Sequence, residues 1–324
     1  IMAWNFGESV KSSVRSGSGY QLLDAETGDF YTAALDEAAN LLAQTPVQGS
    51  KYFKVKNVDK NNYSSRDVYG VGMAQVNSDG EALAFDKSVV GFDQTISNYV
   101  LRLAKGTGRE SLETDRFGVI GDDVRELMQS GNKTIERILA DAVNRGFEGG
   151  TPGSTTGLSL LAEDGLALFA TGRPQPRASA GEWENKNAAG ALTASTVAST
   201  RTQFNTYLDG NGDLAPQMLE KVVVSPDLED TMREISGTTL KVDTSLNTTN
   251  VVSGTPYEVW HWLNAGTTIY CGDAENGLEF HIRKNPETLT WEDGTNPDLI
   301  KTRLRMAVGT GCKRPGKFIG QLAS

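Results

Sequence analysis

Three short stretches of the sequence contain residue types that could do chemistry. The first, Gly311 to Lys317 (GCKRPGK), has the glycine and lysine spacing of a phosphate-binding P-loop. Phe318 stands where that motif has the Ser or Thr that contacts Mg²⁺. The few residues after Lys317 leave no room for the helix whose N-terminus would face the phosphates. The stretch therefore predicts a basic turn.

The second stretch carries side-chain oxygens at the spacing of a calcium-binding loop. Asp209, Asn211, Asp213 and Glu220 match four ligand positions of a helix-loop-helix calcium site. Leu214 occupies the position that requires glycine, and Pro216 follows it. A turn made of residues that tolerate positive φ is the simpler interpretation. A bound cation remains the alternative.

The third feature is the pair of histidines, His261 and His281. Glu279, two residues before His281, is the one Cys or carboxylate neighbour at the spacing of a metal ligand. A zinc site or a catalytic triad needs more partners than this, so we predict that both histidines are strand residues. The sequence contains no nucleophile elbow, zinc-protease or dinucleotide-binding signature. We predict no enzymatic activity, no cofactor and no metal.

Composition narrows the class of protein further. The chain has 324 residues, of which 38 % are hydrophobic and 22 % charged, and its net charge is −10. That charge argues against a protein whose main task is to grip nucleic acid, although it permits a weak local contact. No run of 18 apolar residues exists to span a membrane. Cys271 and Cys312 are far apart, which favours two reduced thiols.

The elements that must position these residues are organised around one long helix. In the stretch 119–147 the apolar residues recur every three or four positions, which predicts an amphipathic helix of about 40 Å. Ser130 and Gly131 in its middle predict a bend or an interruption, because glycine costs about 1 kcal/mol relative to alanine in a helix.

Residues 51–95 predict a long β-hairpin-like excursion with little apolar mass and a turn at Asn77–Gly80. A two-stranded ribbon is marginal in water, so we expect it to pack on another surface, that of another chain. Its lysines, Lys51, Lys54, Lys56, Lys60 and Lys87, are expected to be solvated.

The remainder predicts a mixed lobe followed by long closing strands. A tight turn is expected at Glu163–Gly165 and an N-cap at Asp227. Trp260 and Trp262, two apart in a predicted strand, should share a face. The predicted helices are 193–208 and 227–235, and the predicted strands are 96–104, 219–226, 247–252, 258–270, 278–282 and 298–309.

The order of these pieces resembles the major capsid proteins of tailed phages, which have the Hong Kong 97-type fold, and is closest to the Mu-type major head subunit branch. Three stretches carry the resemblance: YVLRLAKGTGRESLETDRFGVI, GLALFATGRPQPRASAGEWENKNAAGALTASTVAST and GDLAPQMLEKVVVSPDLEDTMREI. The resemblance covers roughly residues 50 to 320.

The resemblance implies an α+β fold with five parts. Residues 1–50 would be an N-terminal arm and 51–95 the extended β-hairpin, or E-loop. Residues 96–165 would form a peripheral domain with the spine helix 119–147, and 166–277 a mixed α/β axial domain. Residues 278–324 would return to the peripheral domain. Candidate inter-subunit contacts are Tyr52, Phe53, Lys54, Val55, Tyr69, Phe85, Phe92, Trp183 and Asn185.

The function implied is structural. The chain would self-assemble through pentamers and hexamers into an icosahedral head enclosing double-stranded DNA, which it contacts only loosely. It would belong to the virion, assemble in the host cytoplasm, contact no membrane, and have cement or scaffolding proteins as further partners. The alternatives are another phage component, such as a tail-tube or decoration protein, and a β-rich ligand-binding module that uses the tryptophans.

Overall fold

The computed structural model describes residues 20–21, 47–70, 88–108, 110, 119–148, 161–177, 181–240, 248–272, 277–293, 295–296 and 299–323. Its α-helices are α1 Val119–Asn144, α2 Ala194–Asn205 and α3 Glu229–Gly237. Its strands are β1 Tyr20–Gln21, β2 Lys54–Asn57, β3 Asn62–Gly70, β4 Val89–Ser97, β5 Tyr99–Gly108, β6 Arg173–Pro174, β7 Glu182–Trp183, β8 Lys221–Val224, β9 Tyr257–Val259, β10 Thr267–Cys271, β11 Leu278–Asp293, β12 Leu299–Cys312 and β13 Phe318–Leu322. Short 3₁₀ helices cover Gln48–Tyr52, Pro226–Leu228 and Pro315–Lys317.

The largest sheet is built on two long antiparallel strands, β11 and β12. β5 pairs with the free edge of β12, and β1 and β2 pair with β11, β2 in parallel. Along β12 from Leu299 to Met306, every second residue is buried, because one face of the sheet packs against α1. The predicted closing strands are confirmed and are longer than predicted.

Helix α1 carries the predicted apolar stripe into the main core. The buried side chains of this stripe include Leu127, Met128, Ile135, Ile138, Leu139, Ala142 and Val143. The predicted interruption at Ser130–Gly131 is wrong, since the helix is continuous. A Cβ on Gly131 would lie 2.5 Å from Leu304 Cδ2, so this glycine allows β12 to approach the helix closely.

A second sheet, in the order β13-β10-β8-β9, forms a separate lobe with α2 and α3. The run Val222–Val224 of β8 is buried on both faces. Val223 joins the main core with α1, whereas Val222 and Val224 pack in a second core with Phe204 and Met232. The predicted buried strand is confirmed, and it explains why the run is uniformly apolar.

Both predicted helices of this lobe are present, but one predicted cap is wrong. Thr193 caps α2 through a reciprocal capping box with Thr196. Asp227 caps no helix; its Oδ2 accepts a hydrogen bond from the Gly266 backbone N at 2.9 Å. The chain therefore uses this carboxylate to close the turn before β10.

The predicted strand 258–270 is two strands separated by a turn, β9 and β10. Trp260 lies at this break and is completely buried, whereas Trp262 is 40 % exposed, so the two indoles do not share a face as predicted. The predicted strand 247–252 is also wrong: of its described residues, only Thr249 forms an isolated bridge, with Leu240, and a turn follows.

Candidate assembly surfaces

Strands β3 and β4 form a two-stranded ribbon that lies along the rest of the chain. Gln94 and Ile96 of β4 are buried, and Gln94 Nε2 donates to the Cys312 carbonyl at 2.6 Å. Asp93, which precedes Gln94 and points to the opposite face, is exposed and pairs with Arg66 across the ribbon. The described part of the ribbon thus packs on its own chain. The predicted turn Asn77–Gly80 lies outside the described residues.

Near its other end, the ribbon is anchored by Tyr69. The Tyr69 ring lies against Gly210, where an added Cβ would come within 2.6 Å of the ring. The Asn211 side chain donates to the Tyr69 carbonyl at 3.1 Å, and the Tyr69 hydroxyl donates to Glu163 at 3.2 Å. Val68 and Val90 pair across the ribbon and remain 61 % and 44 % exposed. The ribbon therefore presents an apolar pair to solvent.

A cleft of about 440 Å³ opens beneath the ribbon. It brings together three predicted contact residues, Tyr69, Phe92 and Trp183, with Tyr207 and several prolines. The Trp183 and Tyr207 rings meet edge to face at 5.6 Å between centroids. The cleft is a half-open aromatic surface.

Asn185 lies behind this cleft, in a buried node around Arg173. Arg173 is completely buried, and its guanidinium donates to Asp164 at 2.6 Å, to Asn185 Oδ1 at 2.8 Å and to backbone carbonyls. Asn185 Nδ2 in turn donates to the carbonyls of Leu168 and Pro315. A buried charge is stable only when paired and hydrogen-bonded, as here. Asn185 therefore joins loops of its own chain.

Tyr52 and Phe53 are likewise part of the main core. The Tyr52 hydroxyl donates to Glu258 at 2.7 Å, and the Lys221 ammonium lies 5.0 Å above its ring. Lys54 and Val55, by contrast, are exposed on β2. Phe85 lies outside the described residues.

The sequence reasoning missed Glu136, which links α1 to the second lobe. Its carboxylate accepts hydrogen bonds from Trp260 Nε1 at 2.6 Å and from the Gly49 backbone N at 2.9 Å. Burial raises its pKa, and the two donors oppose that effect. A lone acidic residue on the apolar stripe of the predicted helix was the available signal.

A second buried network joins β2 to β11. Glu279 accepts hydrogen bonds from Lys56 Nζ at 2.5 Å and His281 Nε2 at 3.0 Å. Burial opposes ionisation of Glu279, but His281 and Lys56 outweigh it and lower its pKa to about 2. The expectation of a solvated Lys56 is therefore wrong, while His281 is a strand residue as predicted. His261 is exposed beside Gln48, in the turn after β9, so its predicted strand position is wrong.

The other chemically suggestive stretches serve as turns. Asp209 Oδ1 accepts from the backbone N of Asn211 and of Asp213, which confirms the predicted turn. Residues 313–317 form the predicted turn before β13. Both cysteines are free and buried. In the described part of the chain, no three His, Cys, Asp or Glu side chains form a metal-binding group, and no helix is long and apolar enough to cross a membrane.

Comparisons with known proteins connect this architecture to a family. Residues 108–319 match the family described as phage capsid protein. A chain from the capsid of an empty GTA particle has a TM-score of 0.55 at 10 % identity, covering 98 % of this chain and 93 % of that one. A chain of Microbacterium phage Oxtober96 has a TM-score of 0.53 at 13 % identity, covering 86 % and 92 %. A chain of Gordonia phage Cozz has a TM-score of 0.55 at 12 % identity, covering 86 % of each.

At these identities the structural likenesses show a shared fold. A comparison with curated proteins finds no match. The family match extends over more than half of the 324 residues. The chain therefore belongs to the phage capsid protein family: it is a structural major capsid protein of a tailed phage, a component of the virion and not an enzyme.

Proposed function

We propose that this chain assembles through pentamers and hexamers into an icosahedral head that encloses double-stranded DNA. The observation that carries the proposal is the match to the phage capsid protein family over residues 108–319. A likeness that covers 98 % of the chain to a subunit from a capsid supports it. Assembly takes place in the host cytoplasm in this proposal, and scaffolding or cement proteins are further partners.

The proposed subdivision is that of the Hong Kong 97-type fold. The spine helix α1 on the β5-β12-β11 sheet is the peripheral domain, and the β8–β10 sheet with α2 and α3 is the axial domain. Two observations adjust the boundaries. Residues 54–57 pair with β11, so the E-loop begins nearer to β3 than to Lys51. β13 pairs with β10, so Phe318–Leu322 belong with the axial sheet.

The proposed inter-subunit contacts are the ribbon and its cleft. Tyr69, Phe92 and Trp183 supply aromatic area that is only partly buried, and aromatic residues are enriched in protein interfaces. Gln175 lines the same cleft, is 5 % exposed, and has a side-chain Nε2 without a partner among the described residues. A carbonyl from a neighbouring subunit would satisfy this donor. Tyr52, Phe53 and Asn185 have almost no surface to contribute.

The test is negative-stain electron microscopy of the purified full-length chain, together with its mass in solution. We expect closed shells, or rings with the mass of five or six subunits, with the fraction assembled rising with concentration. A compact chain that resists proteolysis in the 51–95 segment and stays monomeric at every concentration would contradict the proposal.

A further inference from the structure

The face of the long sheet that points away from α1 has a charge unlike that of the rest of the chain. Ile300, Thr302 and Leu304 of β12 are buried on the α1 side, so Lys301, Arg303 and Arg305 point to the opposite side. Directly opposing residues in a sheet share a face. β5 therefore contributes Arg102, and β11 contributes Lys284, Glu287 and Trp291.

This basic face, formed by Lys284, Lys301, Arg303, Arg305 and Arg102, holds five cations and one described acid, Glu287. The net charge of the whole chain is −10. Glu287 lies 4.0 Å from Lys284. It is also the β11 residue directly opposite Arg305, but it offsets only one of the five positive charges. Most of the negative charge of the chain is thus elsewhere.

Two arginines of this face repel each other in the isolated chain. Arg102 and Arg305 stand directly opposite each other on β5 and β12. Like charges in such pairs destabilise a sheet. Among the described residues, neither has an acidic partner within salt-bridge distance. A bound polyanion would remove this repulsion.

Arg303 is oriented for the same role. Its guanidinium lies over the Trp291 ring, 5.6 Å from the centroid. This cation–π contact restricts the guanidinium and leaves N–H groups on its edges to bind an anion. Side chains at alternate positions of a strand stand roughly 6.6 Å apart, so the three β12 cations form an evenly spaced row. Such a row can contact successive phosphates of one backbone.

We propose that this basic face binds the phosphate backbone of double-stranded DNA without reading its sequence. The inference rests on the proposed function, since a head protein meets nucleic acid at high local concentration. The acidic remainder of the chain keeps the affinity low, and the contact is confined to one face of the β5-β12-β11 sheet.

The test measures binding of a fluorescent 30-base-pair duplex to the unassembled full-length chain between 50 and 200 mM salt. The slope of log K against log salt is negative, and we expect its magnitude to decrease by about 1.8 in Arg102→Ala/Arg305→Ala, at about 0.9 per lost phosphate contact. At 50 mM salt, binding should be roughly a hundredfold weaker.

The control variant, Arg201→Ala/Arg233→Ala, removes the same number of positive charges from α2 and α3 and should bind DNA like the unmodified chain. Arg102→Gln alone is a milder change at an exposed position of β5, so it should not disturb folding. It should make the slope less steep by about 0.9.

Equal losses in the control variant, or DNA binding that does not depend on salt, would overturn the inference. The inference would also be overturned if the same arginines bound a polyglutamate peptide but not the duplex. That result would assign the face to an acidic protein segment. Shell formation is scored on the same preparations. One outcome separates the two proposals. If the unmodified chain binds DNA but forms neither shells nor rings, and the Arg102→Ala/Arg305→Ala variant binds DNA more weakly, the proposed function fails and this inference stands.

Discussion

At the scale of single residues, buried charged side chains connect segments of the chain that are far apart in sequence. Glu136 of α1 binds Trp260 and the backbone of Gly49. Glu279 binds Lys56 on a neighbouring strand. Removing one partner from such a group leaves an unpaired buried charge, which costs more than the bond itself contributes. These residues hold the shape of the subunit.

Glu279 leads to a prediction about acid stability. Its pKa is lowered from an ordinary 4.5 to about 2 in the folded chain. A lowered folded-state pKa stabilises the fold above the unfolded pKa, and this stabilisation is lost as pH falls from about 4.5 to about 2. We expect Glu279→Gln to lose stability on the order of 3 kcal/mol at pH 7 and much less near pH 2. Urea unfolding across this pH range measures the difference.

The control for this experiment is Asp93→Asn. Asp93 also has a lowered pKa, caused by Arg66, but both side chains of that pair are largely exposed. Exposed ion pairs contribute little. Its urea midpoint should therefore follow that of the unmodified chain at every pH. If the free energy of unfolding of Glu279→Gln depends on pH between 7 and 2 in the same way as that of the unmodified chain, the buried network does not stabilise the fold.

At the scale of elements, glycines mark the places where strands and helices cross closely. The Gly131 position allows β12 to reach α1, and Gly309 of β12 faces the junction between β4 and β5. The periodicity of the sequence predicted helix α1, but Gly131 was interpreted as a bend or an interruption. The strand that crosses there lies more than 150 residues away in the chain. Local propensity contains no information about that partner.

Gly309 provides the test at this scale. A Cβ there would lie 2.6 Å from Asn98 Oδ1 and 2.7 Å from the Ser97 backbone oxygen, which cannot move alone. We expect Gly309→Ala to lower the free energy of unfolding by about 1–3 kcal/mol. Calorimetry of the unassembled subunit measures the change. In Gly237→Ala the added Cβ meets nothing within 4 Å, so that variant should be neutral or slightly stabilised; equal effects in both would contradict the close crossing.

At the scale of the whole molecule, the exposed Val68–Val90 pair on the ribbon matters for assembly. Val68 is mostly exposed, so Val68→Lys should leave subunit stability unchanged within about 0.5 kcal/mol. If the ribbon contacts a neighbouring subunit, a charge at a desolvated contact should raise the concentration needed for shells roughly tenfold or more. Light scattering over a concentration series measures this. Val68→Ile keeps the apolar contact and should assemble normally, whereas normal assembly of Val68→Lys would exclude Val68 from the contact.

The sequence by itself determined the elements whose burial pattern is local. The stripe of α1, the apolar run of β8 and the alternation along β12 each follow from the spacing of neighbouring residues, and all three are present. The order of these elements also determined the resemblance to capsid proteins that the family match confirms.

Only the tertiary structure decided which polar residues are buried and what they bind. Asn185 and Tyr52 were predicted to contact a neighbouring subunit, yet the fold places both inside the chain, against Arg173 and Glu258. The basic face arises in the same way, because strand register alone brings Arg102 opposite Arg305. Such pairings join residues from distant parts of the chain, and their free energy depends on burial, which exists only after the sheets have packed.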